Sequence, residues 1–343
     1  MKRIMDWARG WSGRAAVCFL VLGVLGMLTF FAGSCAPGSR MAEGEKKAVI
    51  LDTDIGDDID DTWALVALLN SPELDVKLIT TAVGDTELKA KLVAKVLQVA
   101  GRTDIPIGIG VPAGKTPCAQ QGWVQDFDMS AYKGTVHKDG VGALIETVMK
   151  SEQPITIIAV GPLPNIAAAL EREPAIATKA KYIGMQGSIR IGYEGKKGAA
   201  AEYNAKASAK ETQKVFEADW DKTITPLDTC GIVKLEGDKY QKVLNRDSAL
   251  TNTLMEAYKA WLTKVDWLDR NTVDVSKAST ILYDTVAVYL AVSHDLAKME
   301  KLPIRVTDTG YTKIDESGKI VNCATEWKDL PGYEDWLVER LTR

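Results

Sequence analysis

Histidine and cysteine are scarce in this chain, and their scarcity limits the chemistry open to it. Among 343 residues there are two histidines, His137 and His294, so no site that needs three imidazole ligands can form. Five cysteines are too few for a disulfide scaffold in a chain of this length. Basic residues number 42 against 46 acidic ones, and the lack of a basic excess argues against nucleic acid as a partner. The composition, 46% hydrophobic and 26% charged, is that of a globular protein.

The first 35 residues have the pattern of an export signal. Basic residues come first, and an uncharged apolar run follows over 15–33. The run leads into Phe31-Ala32-Gly33-Ser34-Cys35, which resembles a bacterial lipobox with its lipid-acceptor cysteine. It is also just long enough to span a bilayer, so a signal anchor is the alternative. Both interpretations predict an exported protein held at the membrane on its periplasmic or cell-surface side, with 36–46 as the tether.

From residue 47 onward, segments typical of strands alternate with segments typical of helices. The predicted strands are 48–51, 76–83, 155–160 and 181–185, and the predicted helices are 62–69, 88–99 and 165–170. Such alternation predicts parallel strands joined by crossover helices, and hence a single large α/β domain over 47–343 with a doubly wound, mostly parallel sheet and flanking helices. Ligands bind beyond the carboxyl ends of the strands in such sheets, so the chemistry is expected there.

Six aspartates crowd the end of the first predicted strand: Asp52, Asp54, Asp57, Asp58, Asp60 and Asp61. No lysine or arginine lies within 48–76, so their mutual repulsion opposes folding unless a cation binds or solvent separates them. Several carboxylates in a flexible loop suit a hard divalent cation such as Ca²⁺, although the spacing is not that of an EF-hand. Helix capping by Asp60 or Asp61 is the alternative, but it accounts for one or two of the six.

Five short motifs follow one another along the chain. They are Asp52-Thr53-Asp54-Ile55-Gly56 with Asp60-Asp61, His137-Lys138-Asp139-Gly140-Val141-Gly142, Gly161-Pro162-Leu163-Pro164-Asn165, Ala201-Glu202-Tyr203-Asn204, and Tyr283-Asp284-Thr285-Val286-Ala287. In this order they resemble the inosine-uridine preferring nucleoside hydrolase family, in its variant with a longer aspartate loop.

The resemblance implies a calcium-dependent N-glycosidase that hydrolyses ribonucleosides to ribose and free base through an Asp-activated, metal-bound water. It implies a Ca²⁺ ion held by Asp54, Asp61, the Val160 backbone carbonyl and Asp284, with Asp54 also the catalytic base. The residues that it places against the substrate are Asp60, His137, Met185, Glu202, Asn204 and Tyr283. Relatives commonly associate, so a homo-oligomer is a further expectation.

Departures from the family pattern affect the leaving-group pocket. Tyr283 stands where many members have a histidine that protonates the leaving base, and His137 is an alternative donor. Lys196 and Asp85 each replace a usual asparagine, and Lys196 is expected to accept an anionic substituent or to pair with Asp85 or another acid. Trp123, Trp261 and Trp267 are expected at the rim of the leaving-group pocket.

Some of these residues have purely structural alternatives. Asp284, Glu202 and Asn204 each precede or begin a predicted helix and are candidates for capping it. Two other functions also remain open at this point: a lipoprotein that binds nucleosides without hydrolysing them, and a haloacid-dehalogenase-like phosphatase, suggested by the Asp-x-Asp after an apolar strand.

Overall fold

The computed structural model describes residues 46–343. The predicted export segment 1–35 and the tether up to residue 45 lie outside the described residues, so membrane attachment and export stay predictions. Within 46–343, no helix combines the length and the apolar character needed to cross a bilayer.

A single ten-stranded sheet forms the centre of the fold. In chain order the strands are β1 (Lys47–Thr53), β2 (Leu74–Thr81), β3 (Ile107–Ile109), β4 (Val136–His137), β5 (Ile155–Ala159), β6 (Ala180–Met185), β7 (Lys222–Thr225), β8 (Ala297–Val306), β9 (Thr312–Ile314) and β10 (Lys319–Trp327). Their order across the sheet is β4-β3-β2-β1-β5-β6-β7-β10-β8-β9. All neighbours from β4 to β10 pair in parallel, and β8 and β9 continue the sheet antiparallel. The predicted mostly parallel sheet is confirmed.

Helices connect the strands and cover both faces of the sheet. They are α1 (Asp60–Leu69), α2 (Thr86–Val99), α3 (Gly140–Lys150), α4 (Pro164–Arg172), α5 (Ile176–Lys179), α6 (Tyr203–Ala207), α7 (Ala209–Glu217), α8 (Leu227–Cys230), α9 (Gly237–Leu244), α10 (Ala249–Leu262), α11 (Thr285–Val292) and α12 (Leu330–Leu341). One buried apolar cluster joins α1, α2 and α8–α12 to the sheet, and a second joins α3, α4 and α7 to it. Strands covered on both faces must be apolar throughout, which explains why 49–51 is a fully buried, uninterrupted apolar run.

The position of β1 in the sheet determines where a ligand-binding crevice opens. The chain winds outward from β1 through β2, β3 and β4, then returns to place β5 on the opposite side of β1. The connections that leave the carboxyl ends of β1 and β5 therefore run in opposite directions, which opens a crevice between them. The aspartate loop 54–59 follows β1, and the Gly161-Pro162 turn follows β5, so both motifs lie at this crevice.

The sequence did not predict the antiparallel edge. Strand β8 carries Lys298, Glu300 and Lys301 among its apolar residues, and much of it is only half buried. A half-exposed strand near the edge of a sheet needs no continuous apolar run because one of its faces meets solvent, so the apolar-run criterion misses β8.

Candidate active site

A cavity of about 550 Å³ opens at the carboxyl ends of the central strands. Its walls combine the aspartate loop, the ends of β5 and β6, the start of α6, the segment after α10 and the start of α11. The lining residues that carry polar or aromatic groups are Asp54, Asp57, Asp58, Asp60, Asp61, Thr116, Tyr193, Glu194, Glu202, Tyr203, Asn204, Lys264, Asp266, Trp267, Tyr283 and Asp284. Val160 and Met185 also line it, so nine of the ten predicted site residues meet in one cavity.

Three buried carboxylates form the floor of the cavity. Asp60, Asp61 and Asp284 each offer an oxygen within 4.8 Å of the others, and each residue is 3% exposed. Burial raises the pKa of Asp61 to about 7, although the Thr53 hydroxyl donates a hydrogen bond to it. The pKa of Asp284 is raised well above its usual value by burial and then by the charge of Asp60. An all-oxygen cluster that is destabilised by its own charge fits a hard divalent cation.

Helix capping does not account for this cluster. Helix α1 begins at Asp60 instead of the predicted Thr62, and its N-cap residue, Ile59, has no side-chain oxygen to offer. Asp284 stands at the N-cap position of α11, but its carboxylate accepts no capping hydrogen bond. Instead, the Asp284 backbone N–H donates to Asp60 Oδ2 at 3.3 Å, which joins the start of α11 to the start of α1. The Asp284 carboxylate and the second oxygen of Asp60 are therefore left for a ligand.

Asp54 lies against the turn that follows β5. A methyl group built on Gly161 would come within 2.4 Å of Asp54 Oδ1, so the Asp54 side chain occupies space that only glycine leaves open. The pKa of the Asp54 carboxyl is raised well above its usual value, first by burial and then by the charge of Asp61. Gly161 therefore has a steric reason to be glycine, beyond the turn geometry.

Substituting alanine for Gly161 is expected to displace the Asp54 carboxylate. The ribose release that the sequence resemblance implies should fall about 10- to 100-fold, since a small misplacement of a reacting group has an effect of this order. The unfolding free energy should fall by only about 1–3 kcal/mol, the usual result of overpacking. Steady-state assay and chemical unfolding measure the two effects. Gly122→Ala is the matched control because a methyl group there meets nothing within 4 Å; equal activity in the two variants would contradict the steric role of Gly161.

Lys89 is a residue of the site that the sequence reasoning missed. Its fully buried side chain donates from Nζ to the Asp54 carbonyl at 2.7 Å and lies 2.9 Å from Asp57 Oδ1. Lys89, on α2, thus partly offsets the repulsion among the carboxylates of the aspartate loop. It lies outside 48–76, the segment that contains no lysine or arginine. A signal was available, because Lys89 falls on the same helical face as Leu92, Val93 and Val96.

The motif asparagine of α4, Asn165, has a structural role behind the cavity. Its Nδ2 donates to Asp52 Oδ1 at 2.7 Å and to the Thr81 carbonyl at 3.0 Å, while its Oδ1 accepts the Val111 N–H at 2.7 Å. These bonds join the ends of β1 and β2 to the segment after β3. Asp52 is fully buried, and burial raises its pKa to about 6. It is not among the residues that line the cavity.

Glu202 and Asn204 fix the ends of β5 and β6. Both Glu202 oxygens accept backbone N–H groups, from Gly187, Asn204 and Ala205, so the capping alternative holds for Glu202. Burial still raises its pKa to about 7. Asn204 Nδ2 donates to the Val160 carbonyl at 2.9 Å and to the Met185 carbonyl at 3.1 Å. The predicted metal-binding carbonyl therefore already has one hydrogen bond and keeps a second lone pair.

His137 lies outside the cavity. It ends the two-residue strand β4 at the far edge of the sheet and pairs with Gly108. The expectation that His137 contacts the substrate is not supported, because its motif serves α3: Asp139 caps that helix by accepting the Gly142 N–H at 2.9 Å. The motif 137–142 is thus similar to the family pattern, but in this chain it forms the start of α3.

The other residues that depart from the family pattern are also placed. Lys196 is exposed and pairs with Glu194 at 2.7 Å, so the alternative of pairing with another acid holds and pairing with Asp85 does not. Asp85 caps α2 by accepting the Leu88 N–H. Of the three tryptophans, only Trp267 lines the cavity. Trp261 is buried and donates to the Asp57 carbonyl at 3.1 Å, and Trp123 packs under Lys95.

Comparisons with known proteins show which family and which relatives this chain is similar to. The family model described as inosine-uridine preferring nucleoside hydrolase matches residues 49–333. The chain is 27% identical over 307 residues to probable uridine nucleosidase 2 of Arabidopsis thaliana, covering 85% of this chain and 92% of that protein. It is 25% identical over 315 residues to the non-specific ribonucleoside hydrolase RihC of Salmonella paratyphi A, covering 85% and 96%.

Solved structures show the same fold. The plant nucleoside hydrolase PpNRh1 superposes with a TM-score of 0.74 at 25% identity, over 87% of this chain and 99% of that one. A Bacillus anthracis structure titled inosine-uridine preferring nucleoside hydrolase superposes with a TM-score of 0.69 at 19% identity, over 86% and 99%.

Proposed function

Because this chain belongs to the inosine-uridine preferring nucleoside hydrolase family, we propose that it hydrolyses the N-glycosidic bond of ribonucleosides to ribose and free base with a bound Ca²⁺ ion. The family makes it a hydrolase of N-glycosyl bonds and excludes the phosphatase alternative. The observation that carries the proposal is the meeting of Asp54, Asp61 and Asp284 in one cavity, although 223 residues separate Asp61 from Asp284 in the sequence.

The residues present fit a calcium ion. Asp54, Asp61, Asp284 and the Val160 carbonyl supply only oxygen, which Ca²⁺ prefers. The three carboxylates whose oxygens lie within 4.8 Å of one another are Asp60, Asp61 and Asp284, which adds Asp60 to the expected set, whereas Asp54 lies in the same cavity but outside this group. When bound, the ion supplies positive charge that offsets the carboxylates and makes a nearby water more acidic.

The chain's own groups perform the remaining steps. Asp54 accepts the proton of the attacking water, a role that suits a buried carboxylate beside other acids. Carboxylates around the sugar stabilise the positive charge that develops on it as the bond to the base breaks. Asn204, held at the ends of β5 and β6, and Asp60 grip the ribose hydroxyls, with Met185 against the ring. Glu202 acts through Asn204 as a positioning residue, since its oxygens serve the start of α6.

Reducing-sugar assay on a panel of ribonucleosides tests the proposal. We expect ribose from at least one of uridine, cytidine, inosine, adenosine and guanosine in the presence of Ca²⁺. A lipoprotein that only captures nucleosides would bind the same compounds in calorimetry and release no ribose. Binding without release across the panel would therefore select that alternative.

A further inference from the structure

Lys89 is the most deeply buried cationic side chain of residues 46–343. It is the fourth residue of α2, and none of its surface is exposed. A buried lysine loses its hydration, and a buried ion pair often stabilises a fold no better than apolar residues of the same volume would. Compensation of the Asp57 charge is therefore a weak reason for a lysine at this position. Its second contact, with a backbone carbonyl, indicates a further role.

The second contact lies where the chain leaves the sheet. The carbonyls of Asp52 and Thr53 accept backbone N–H groups from the residues that follow β5 and β2, each at 2.9 Å. Asp54 is the first residue beyond β1, and its carbonyl accepts a hydrogen bond from Lys89 Nζ at 2.7 Å. The Asp57 N–H also reaches this carbonyl, but at 3.5 Å, the limit for a hydrogen bond. Lys89 thus continues, beyond the strand, the set of bonds that fixes the backbone.

Lys89 holds this carbonyl from a fixed position. The Thr81 hydroxyl donates to the Thr86 carbonyl at 2.9 Å, which joins the start of α2 to the end of β2. Leu92 lies three residues after Lys89 on the same face of the helix, and it packs against the aspartate loop as well. A methyl group built on Gly56 would lie 2.6 Å from Leu92 Cδ1. Residues 54–56 are therefore in contact with two side chains of an anchored helix.

We propose, on the basis of the function proposed above, that Lys89 is a positioning residue for the catalytic base: its ammonium group fixes the Asp54 carbonyl and thereby directs the Asp54 carboxylate. The carbonyl and the side chain share the Asp54 Cα, so a rotation that moved the carbonyl would also move the carboxylate. The carboxylate itself lies against Gly161. With both groups fixed, Asp54 keeps one orientation before the substrate arrives, which is the condition for efficient proton transfer.

The charge of Lys89 and its hydrogen bond act on calcium in opposite directions. Burial raises the pKa of the Asp54 and Asp61 carboxyls, and the Lys89 charge opposes part of this rise, so it acts on two of the proposed ligands. A positive charge at this position repels Ca²⁺, and its removal alone should tighten calcium binding. Loss of the hydrogen bond misplaces a ligand and should weaken calcium binding. The direction of the change in the calcium Kd therefore shows which of the two effects dominates.

Removal of Lys89 in a protein that lacks the Asp57 charge tests the proposal. The comparison is between Asp57→Asn and Lys89→Met/Asp57→Asn, because the double variant leaves no unpaired charge from this buried ion pair. Its melting temperature should therefore be no lower than that of Asp57→Asn. Relative to Asp57→Asn, kcat for ribose release should nevertheless fall about 10- to 100-fold, with KM within about threefold, and the calcium Kd from calorimetry should rise about tenfold.

Lys95→Met is the matched control. Lys95 lies on the same helix and donates from Nζ to the Trp123 carbonyl at 2.7 Å, away from the aspartate loop. Its kcat and calcium Kd should stay within about twofold of the parent values.

Calcium that binds more tightly to Lys89→Met/Asp57→Asn than to Asp57→Asn, or an equal kcat in the two, would show that Lys89 acts by charge alone. Either result would overturn the positioning role while ribose release by the parent stands. If the parent releases no ribose but the calcium Kd rises as expected, hydrolysis fails and the positioning of Asp54 holds. A parent that neither releases ribose nor binds Ca²⁺ would overturn both proposals.

Discussion

Asp54→Asn lowers the rate of ribose release by about 10²- to 10⁴-fold, the range by which a positioned general base accelerates a reaction. Asparagine matches aspartate in shape and fits the same space beside Gly161, but it cannot take up the proton of the attacking water. The fold should survive because the substitution also removes one buried charge that burial and Asp61 both disfavour. Steady-state assay with the best nucleoside of the panel and thermal unfolding of both proteins measure the two effects.

Asp85→Asn is the matched control for this experiment. Asp85 is exposed at the end of the neighbouring strand β2 and caps α2, a role that asparagine fills equally well. Its activity and stability should stay within about twofold and about 0.5 kcal/mol of the parent, as is usual for surface positions. Undiminished ribose release by Asp54→Asn would remove Asp54 from the role of base.

Removal of calcium should abolish ribose release, and added Ca²⁺ should restore it. The buried carboxylates repel one another when they are ionised, so an ion that neutralises them stabilises the fold as well as the reaction. At a concentration 100 times the Kd, Ca²⁺ should raise the unfolding free energy by about 2.7 kcal/mol. Chelation followed by calcium titration, with activity and melting temperature recorded together, measures both effects. Full activity in a protein freed of metal would contradict the proposed cofactor.

The calcium effect should grow as the pH rises. Burial raises the pKa of the Asp58 and Asp61 carboxyls to about 7, from the usual aspartate value of about 3.9. In the metal-free protein these carboxyls therefore contribute stability below pH 4, and that contribution is lost as the pH rises through about 7. Calcium binds the ionised form of Asp61, one of its proposed ligands, so protons compete with the ion at low pH. We expect a small increase in melting temperature with Ca²⁺ at pH 5 and a larger one at pH 8.

Asp284→Asn provides a variant test of the same ion. It removes a carboxylate from the cluster and should weaken calcium binding at least tenfold, while Glu316→Gln, an exposed charge removed elsewhere, should not change it. A calcium midpoint equal to that of the parent would exclude Asp284 as a ligand.

The sequence predicted the central strands of the sheet because parallel strands that are covered on both faces consist of continuous apolar residues. Strands β1, β2, β5 and β6 and helices α1, α2 and α4 follow the predicted segments, with ends that differ by a few residues. Strands β3, β4, β7, β8, β9 and β10 were not predicted. Four of these have only two to four residues, and the apolar residues of β8 and β10 are interrupted by polar or charged ones, so none of the six has a continuous apolar run long enough to mark a strand.

The sequence predicted those parts of the candidate site that depend on acidic residues at the ends of strands. Asp54, Asp61 and Asp284 meet because the topology brings the aspartate loop beside α11. Lys89 was not predicted because it reaches the site only through tertiary contacts, with the Asp54 carbonyl and with Asp57. His137 was misplaced because a motif of small residues and one aspartate also suits a simple helix start, which is its use in this chain.

The hydrogen bond between Asp60 and Asp284 connects residues that lie 224 positions apart in the sequence. During synthesis, the ribosome therefore releases the aspartate loop long before its partner on α11 exists. A nascent chain that ends before residue 284 holds one wall of the crevice without the other, and so has no assembled catalytic centre. The two walls of the crevice can therefore come together only after residue 284 has been made and α11 has packed beside α1.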